Sequence, residues 1–270
     1  MTSSGYLLLT LACYTVGALH VALHAATRSR LLNSWTVAAT LAGFACHTAS
    51  LSQRWTEAGH FPVVGLHDGT SFLAWTLVLA FLMTYVRTRE AVLGLPVYPF
   101  AFGLVLVSAL TPASANEAPI LRSLFLPIHA TLAFFGYASL FLACAMGVLY
   151  LVQERELKSR APRTFYYLIP SLERCDTISG RSVVVGFGFL SLAIVTGVLW
   201  SHAARGRYFT GDAKEWCALA AWGLYVMLIV ARQRSGWGGR TAALLGIVGF
   251  SGVVFVFVWM TIFAASVAAN

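Results

Sequence analysis

The chain is 270 residues long, 59% hydrophobic and only 10% charged, with a mean hydropathy of +0.76. A soluble domain carries about 25% charged residues, and one soluble core of this size cannot hide so much apolar surface, so lipid must be the solvent for most of the chain. The formal charge of +8 lies at the ends of apolar runs and not in a cluster, which excludes a nucleic-acid surface as its purpose.

A helix needs about 20 apolar residues to cross the hydrocarbon core. Eight runs come close, at roughly 5–27, 35–51, 69–87, 91–110, 127–152, 182–203, 214–231 and 241–265. The first lacks a basic leader and a small-residue cleavage site before its positive end, so it reads as a retained span. The second is short, and Trp35 is placed to anchor it at the interface. The fourth holds Pro96 and Pro99, which a membrane helix tolerates where its neighbours satisfy the freed carbonyls. The longest connection, about 153–181, begins QERELKSR. Its mixed charges suit a helical extension of the fifth span, serving as a solvated connector or as a docking surface. No linker or composition shift divides the chain. The expected fold is an all-α integral membrane protein, with about eight transmembrane helices in one bundle and residues 1–270 forming a single domain.

Lysine and arginine set the orientation. Thirteen of the 18 basic residues fall on one set of loop ends, among them Arg28, Arg87, Arg155, Arg181 and Arg232. The opposite set holds Arg54, Arg122, Arg205, Arg207 and Lys214. The richer side is cytoplasmic by this rule, so both termini are expected on the outer side of a bacterial-type cytoplasmic (inner) membrane.

Seven histidines are the residues that ask for a chemical reading, because ionisable groups within spans are rare and costly. His47, His60, His67, His129 and His202 fall towards the expected outer side. His20 and His24 lie towards the other, one turn apart on one helical face. A neutral imidazole is a good axial ligand for haem iron, and two from different helices can clamp one haem. Histidines at helix ends also serve as caps, which is the plainer reading of His20, His24, His60 and His67. The five cysteines, Cys13, Cys46, Cys144, Cys175 and Cys217, show no C-x-x-C and no C-x-x-C-H spacing, so they suggest neither a zinc site nor covalent haem attachment. Paired carboxylates, nucleophile elbows and phosphate-binding loops do not occur. Asp212 and Glu215 stand where negative charge favours the start of the seventh helix.

Three signature segments, 46–75, 128–151 and 206–250, carry a family resemblance. CHTASLSQRWTEAGHFPVVGLHDGTSFLAW resembles the segment of the cytochrome c assembly family in which a transmembrane histidine precedes R-W, G-H-F-P and a helix ending in tryptophan. IHATLAFFGYASLFLACAMGVLYL is similar to the family's outer histidine followed by S-Y-A. GRYFTGDAKEWCALAAWGLY resembles its tryptophan-rich outer motif, and GWGGRTAALLGIVGF matches the stretch that follows. The family includes CcsA-like, HemX-like and YpjD-like proteins. By this resemblance His47 falls on the transmembrane haem histidine and His129 on the outer one. Tyr208, Asp212, Trp216 and Trp222 match the tryptophan-rich motif, and Phe209 keeps part of its aromatic surface. Arg205, Phe209 and Gly211 stand where tryptophans are expected, Ala213 replaces a proline, and Val230 stands in place of a histidine.

The resemblance implies a membrane protein that binds haem, here haem b, for cytochrome c assembly. It would be non-catalytic or accessory, working beside a CcsB-like partner and an apocytochrome c. The shortened motif also suggests a HemX-like regulator that acts on a cytoplasmic haem-synthesis enzyme, or a transporter or scaffold subunit without haem. Membrane lipid is a partner in every case. The cofactor-binding residues expected are His47, His129, His202, Tyr208, Phe209, Asp212, Trp216 and Trp222, with His47 and His129 as iron ligands. If the second and fifth spans are neighbours those two would share one iron, with His202 as the alternative partner of His129.

Overall fold

The computed structural model describes residues 2–27, 30–113, 125–159, 164–235 and 238–268, with side chains for all of these except 24–27, 30–34, 164–165, 214, 235 and 256–268. The described residues contain eight α-helices and no strand: α1 Ser3–Thr27, α2 Arg30–Ala58, α3 Gly65–Thr88, α4 Gly94–Leu110, α5 Phe125–Lys158, α6 Leu172–Arg205, α7 Ala213–Ser235 and α8 Gly239–Ala268. Short 3-10 turns occur at Ala91–Leu93 and Thr164–Tyr167. Six helices have described stretches long and apolar enough to cross a membrane, namely α1, the Ala91–Leu110 segment containing α4, and α3, α5, α6 and α7. The chain is therefore an all-α, multi-pass integral membrane protein.

The helices run past the apolar stretches that define them in sequence. The second spans 29 residues, where hydropathy alone marks 35–51. Its inward face is polar: Thr36, Thr40, His47 and Ser50 are buried, and in the added turns Arg54 is buried as well. That inward polarity is also why α2 is not among the six apolar spans. Ser171 starts α6 ten residues before its apolar stretch, accepting the Arg174 N–H with its hydroxyl at 3.3 Å as an N-cap.

Two compact units form: α1–α4 with residues 155–170, and α5–α8 up to the C-terminus, with α5 counted to Glu154. In the first, α1 packs along α2 and α4, and α3 packs on α4 and α2. Gly43 allows the α1–α2 approach, since a Cβ there would stand 2.8 Å from the Tyr14 ring. The Ser3 amide and hydroxyl both donate to Glu57, at 3.1 and 2.6 Å, which ties the start of α1 to the end of α2. Those bonds hold the Glu57 carboxyl below the usual carboxylate range. His67 caps α4, its Nδ1–H reaching the Ser108 and Thr111 carbonyls at 2.8 and 3.0 Å. The capping reading of His67 is thus the one the geometry supports. The His20 ring bonds the Val16 carbonyl in its own helix at 2.8 Å, and the His24 side chain lies outside the described residues.

The second unit is built on close approaches at small residues, as membrane helices commonly are. A Cβ on Gly136 would stand 3.4 Å from the Gly186 carbonyl oxygen, and one on Gly147 would stand 3.1 Å from that of Ala243. These contacts fix α6 and α8 against α5. Phe141 meets Phe250 edge to face at 5.4 Å. Arg232 grips Asp176 with both forks at 3.0 and 2.8 Å, and the Gly239 N–H joins the same carboxylate at 3.0 Å, so α6, α7 and α8 share one anchor.

Candidate functional site

In the first unit, His47 is fully buried and both of its ring nitrogens are engaged. Nδ1 lies 3.3 Å from the Tyr14 hydroxyl of α1, and Nε2 lies 3.0 Å from the Ser71 hydroxyl of α3. Eleven residues separate it from the end of α2, about 16 Å at 1.5 Å per residue. Sequence placed it about four residues from the outer end of a shorter span; the longer helix puts it deeper below that helix end. Nearer the same end, Arg54 holds Asp68 with two bonds of 2.9 and 3.2 Å, both side chains being buried. An imidazole held at Nδ1 is oriented as a metal ligand requires, but Nε2 reaches iron only if Ser71 turns away.

The second unit holds seven of the eight residues expected at the site, and all of these but Trp222 lie around the loop between α6 and α7. His129 opens this region from α5. Its Nδ1 lies 2.7 Å from the Ala193 carbonyl oxygen of α6. A carbonyl can only accept, so Nδ1 carries the proton and Nε2 carries the lone pair of the neutral ring. Gly197 makes room for the ring: a Cβ there would stand 2.8 and 2.9 Å from its Cε1 and Nδ1. Trp200 lies nearly parallel to the same ring at 6.4 Å.

His129, Trp200, Tyr208 and Phe209 line a half-open cavity of about 190 Å³, with Tyr137 and Arg205. His202 stacks on Tyr208 at 4.1 Å, and Trp216 meets Phe209 edge to face at 5.2 Å. Asp212 pairs with Arg205 at 3.3 Å. Glu215 accepts from the Thr210 amide and hydroxyl and from the Gly211 amide at 2.8 to 2.9 Å, so it moulds the loop as well as starting α7. Trp222 stands apart from this lining and donates to the Ser191 hydroxyl at 2.9 Å. Buried donors at Trp200 Nε1 and Ser201 Oγ have no partner among the described residues.

This arrangement fits one side of a flat, apolar, iron-bearing macrocycle. It offers an oriented imidazole, aromatic walls and a cation. Pockets that enclose a drug-sized ligand measure roughly 300–1,000 Å³, so a cavity of this size takes an edge of a macrocycle and leaves the rest outside. Sequence missed Gly197, Ala193 and Trp200 as determinants of His129, and Tyr14 and Ser71 as partners of His47.

The family model described as cytochrome C assembly protein matches residues 3–267. The chain belongs to the cytochrome c assembly family. It is 30% identical over 257 residues to a "Cytochrome c biogenesis protein CcsA" from Synechococcus elongatus, covering 78% of this chain and 79% of that one. The corresponding proteins of Gloeothece citriformis and Guillardia theta are each 29% identical, over 80% and 79% of this chain and 79% and 76% of theirs. The family match runs through both helical units, so both histidine environments lie within the shared region.

Proposed function

We propose that this chain is a haem-handling protein of cytochrome c assembly in the inner membrane, and that it holds haem b at the second-unit cavity with His129 as an axial ligand. The supporting observation is the bond from His129 Nδ1–H to the Ala193 carbonyl, because it points the ring and puts the lone pair on Nε2, as in protein sites where imidazole ligates metal. Bound haem would supply the iron and two vinyl groups, across which cysteine thiols of an apocytochrome c add to form thioethers. Trp200, Tyr208 and Phe209 exclude water from one edge of the ring, and the half-open side leaves the other edge accessible to an apocytochrome c. A CcsB-like protein is the assembly partner. His202 acts through Tyr208, which it stacks upon, and Asp212 and Glu215 keep the α6–α7 loop in place. Trp216 and Trp222 buttress Phe209 and the α6–α7 contact. His47 is a further ligand position, in the first unit, conditional on release of Ser71. A visible spectrum of the purified chain tests the reading: a Soret band is expected, and a colourless protein from haem-replete cells would overturn it.

The proposed orientation puts the α6–α7 loop on the outer side and the C-terminal end of α5 inside. In a background without native cysteines, Thr210→Cys is expected to label in intact cells, and Ser159→Cys only after permeabilisation. Labelling of Ser159→Cys in intact cells would reverse the orientation and remove the outer placement of the site.

A further inference from the structure

Arg205 is one of the positions at which this chain departs from the tryptophan-rich pattern, and holding iron makes no use of it. Its guanidinium lies 5.6 Å from the centroid of the Trp200 ring and lines the same cavity as His129. A guanidinium stacked on an aromatic face keeps its donor edge available in a fixed plane. Its ion pair with Asp212 is 3.3 Å long, between half-exposed groups, longer than the roughly 2.7–2.9 Å of a strong charge-assisted bond. Glu215 is no competitor, since its carboxylate already accepts the loop donors of Thr210 and Gly211. Trp200 and Ser201, in the same wall, each keep a buried donor without an acceptor among the described residues, an arrangement that is costly unless something supplies one. Trp200 and Ser201 thus add two unmatched donors to the wall beside the Arg205 guanidinium.

We propose that Arg205 is a carboxylate receptor that exchanges Asp212 for an acidic group of the cavity's ligand, so that the site selects a carboxylate-bearing macrocycle over its neutral ester. This rests on the reading that the cavity holds haem, whose propionates are the carboxylates concerned. Asp212 then acts as a placeholder that keeps the guanidinium in plane when the ligand is absent. The loop glycines help: Gly206 and Gly211 both adopt positive φ, 70° and 80°, which lets the segment fold back and bring Asp212 to Arg205.

The test titrates the full-length chain, purified in detergent, with haem and with haem dimethyl ester, following the Soret band. The unaltered chain is expected to bind the ester on the order of tenfold more weakly or worse. Arg205→Ala should weaken haem to the level of the ester and leave the ester unchanged. Arg205→Gln, which keeps the length of the side chain and removes its charge, should do the same and guards against a folding defect. Asp212→Asn should tighten haem severalfold. Equal affinity of the unaltered chain for haem and ester, or equal weakening of both ligands by Arg205→Gln, would overturn the receptor while leaving the haem site standing. Failure of the unaltered chain to bind either ligand would overturn the haem reading and the receptor with it.

Discussion

Arg54→Ala is expected to destabilise the protein by about 3–5 kcal/mol, because it strands a buried carboxylate. Asp68 is 3% exposed and Arg54 8%, and the two are joined by bonds from Nε and Nη2 of one guanidinium. The only other cation described beside Asp68 is the His67 ring, at 3.9 Å and conditional on protonation. The His67 Nδ1–H is already committed to carbonyls at the end of α4, so it cannot turn to replace the arginine. The double replacement Arg54→Met with Asp68→Leu should be far milder, near neutral or even stabilising, since it removes the charges together with their desolvation. Thermal melting of the three purified proteins in one detergent measures this. A loss under about 1 kcal/mol for Arg54→Ala would mean that the pair behaves as a solvated one.

Gly197→Ala is expected to cost haem affinity about ten- to hundredfold while the helices stay folded. The added Cβ would stand 2.8 Å from His129 Cε1 and 2.9 Å from Nδ1, distances at which one group must move. The backbone of α6 is held by Ala193 and by the close crossing at Gly136 and Gly186, so the imidazole is the part that yields. A displaced ring loses its bond to the Ala193 carbonyl. An interhelical hydrogen bond in a membrane is worth only about 1 kcal/mol of stability, whereas losing the outer partner of a ligating histidine typically weakens metal binding by about 10–100-fold. Melting and Soret titration together separate the two effects. Unchanged affinity would show that the Ala193 contact does not orient a ligand.

The spans were legible because lipid demands long apolar runs, and all eight helices lie where those runs occur. Their ends were not. In α2 the residues from Ser52 to Ala58 read as loop by hydropathy, yet Arg54 turns inward to Asp68 and the helix continues. In α6 the signal was present in another form, the Ser171 cap, which a hydropathy criterion ignores. At the site, the family pattern brought attention to His129, Tyr208 and Phe209, and these three do share a cavity. Trp222 belongs to the same pattern but points to Ser191, a contact that depends on how α6 and α7 cross. The partner of His129 is a backbone carbonyl, which no side-chain pattern encodes, and Gly197 is one glycine among many in apolar helices. Tyr14 and His47 are 33 residues apart, and their meeting follows from the approach of α1 to α2 at Gly43.

The most direct measurement is the reduced-minus-oxidised spectrum of the purified chain beside those of His129→Ala, His47→Ala and His202→Ala. The account predicts that the haem bands are lost or shifted in His129→Ala and survive unaltered in His202→Ala, whose ring reaches the cavity only through Tyr208. Loss in His47→Ala as well would assign that residue a ligand role after release from Ser71. An unaltered haem spectrum in His129→Ala would contradict the central claim.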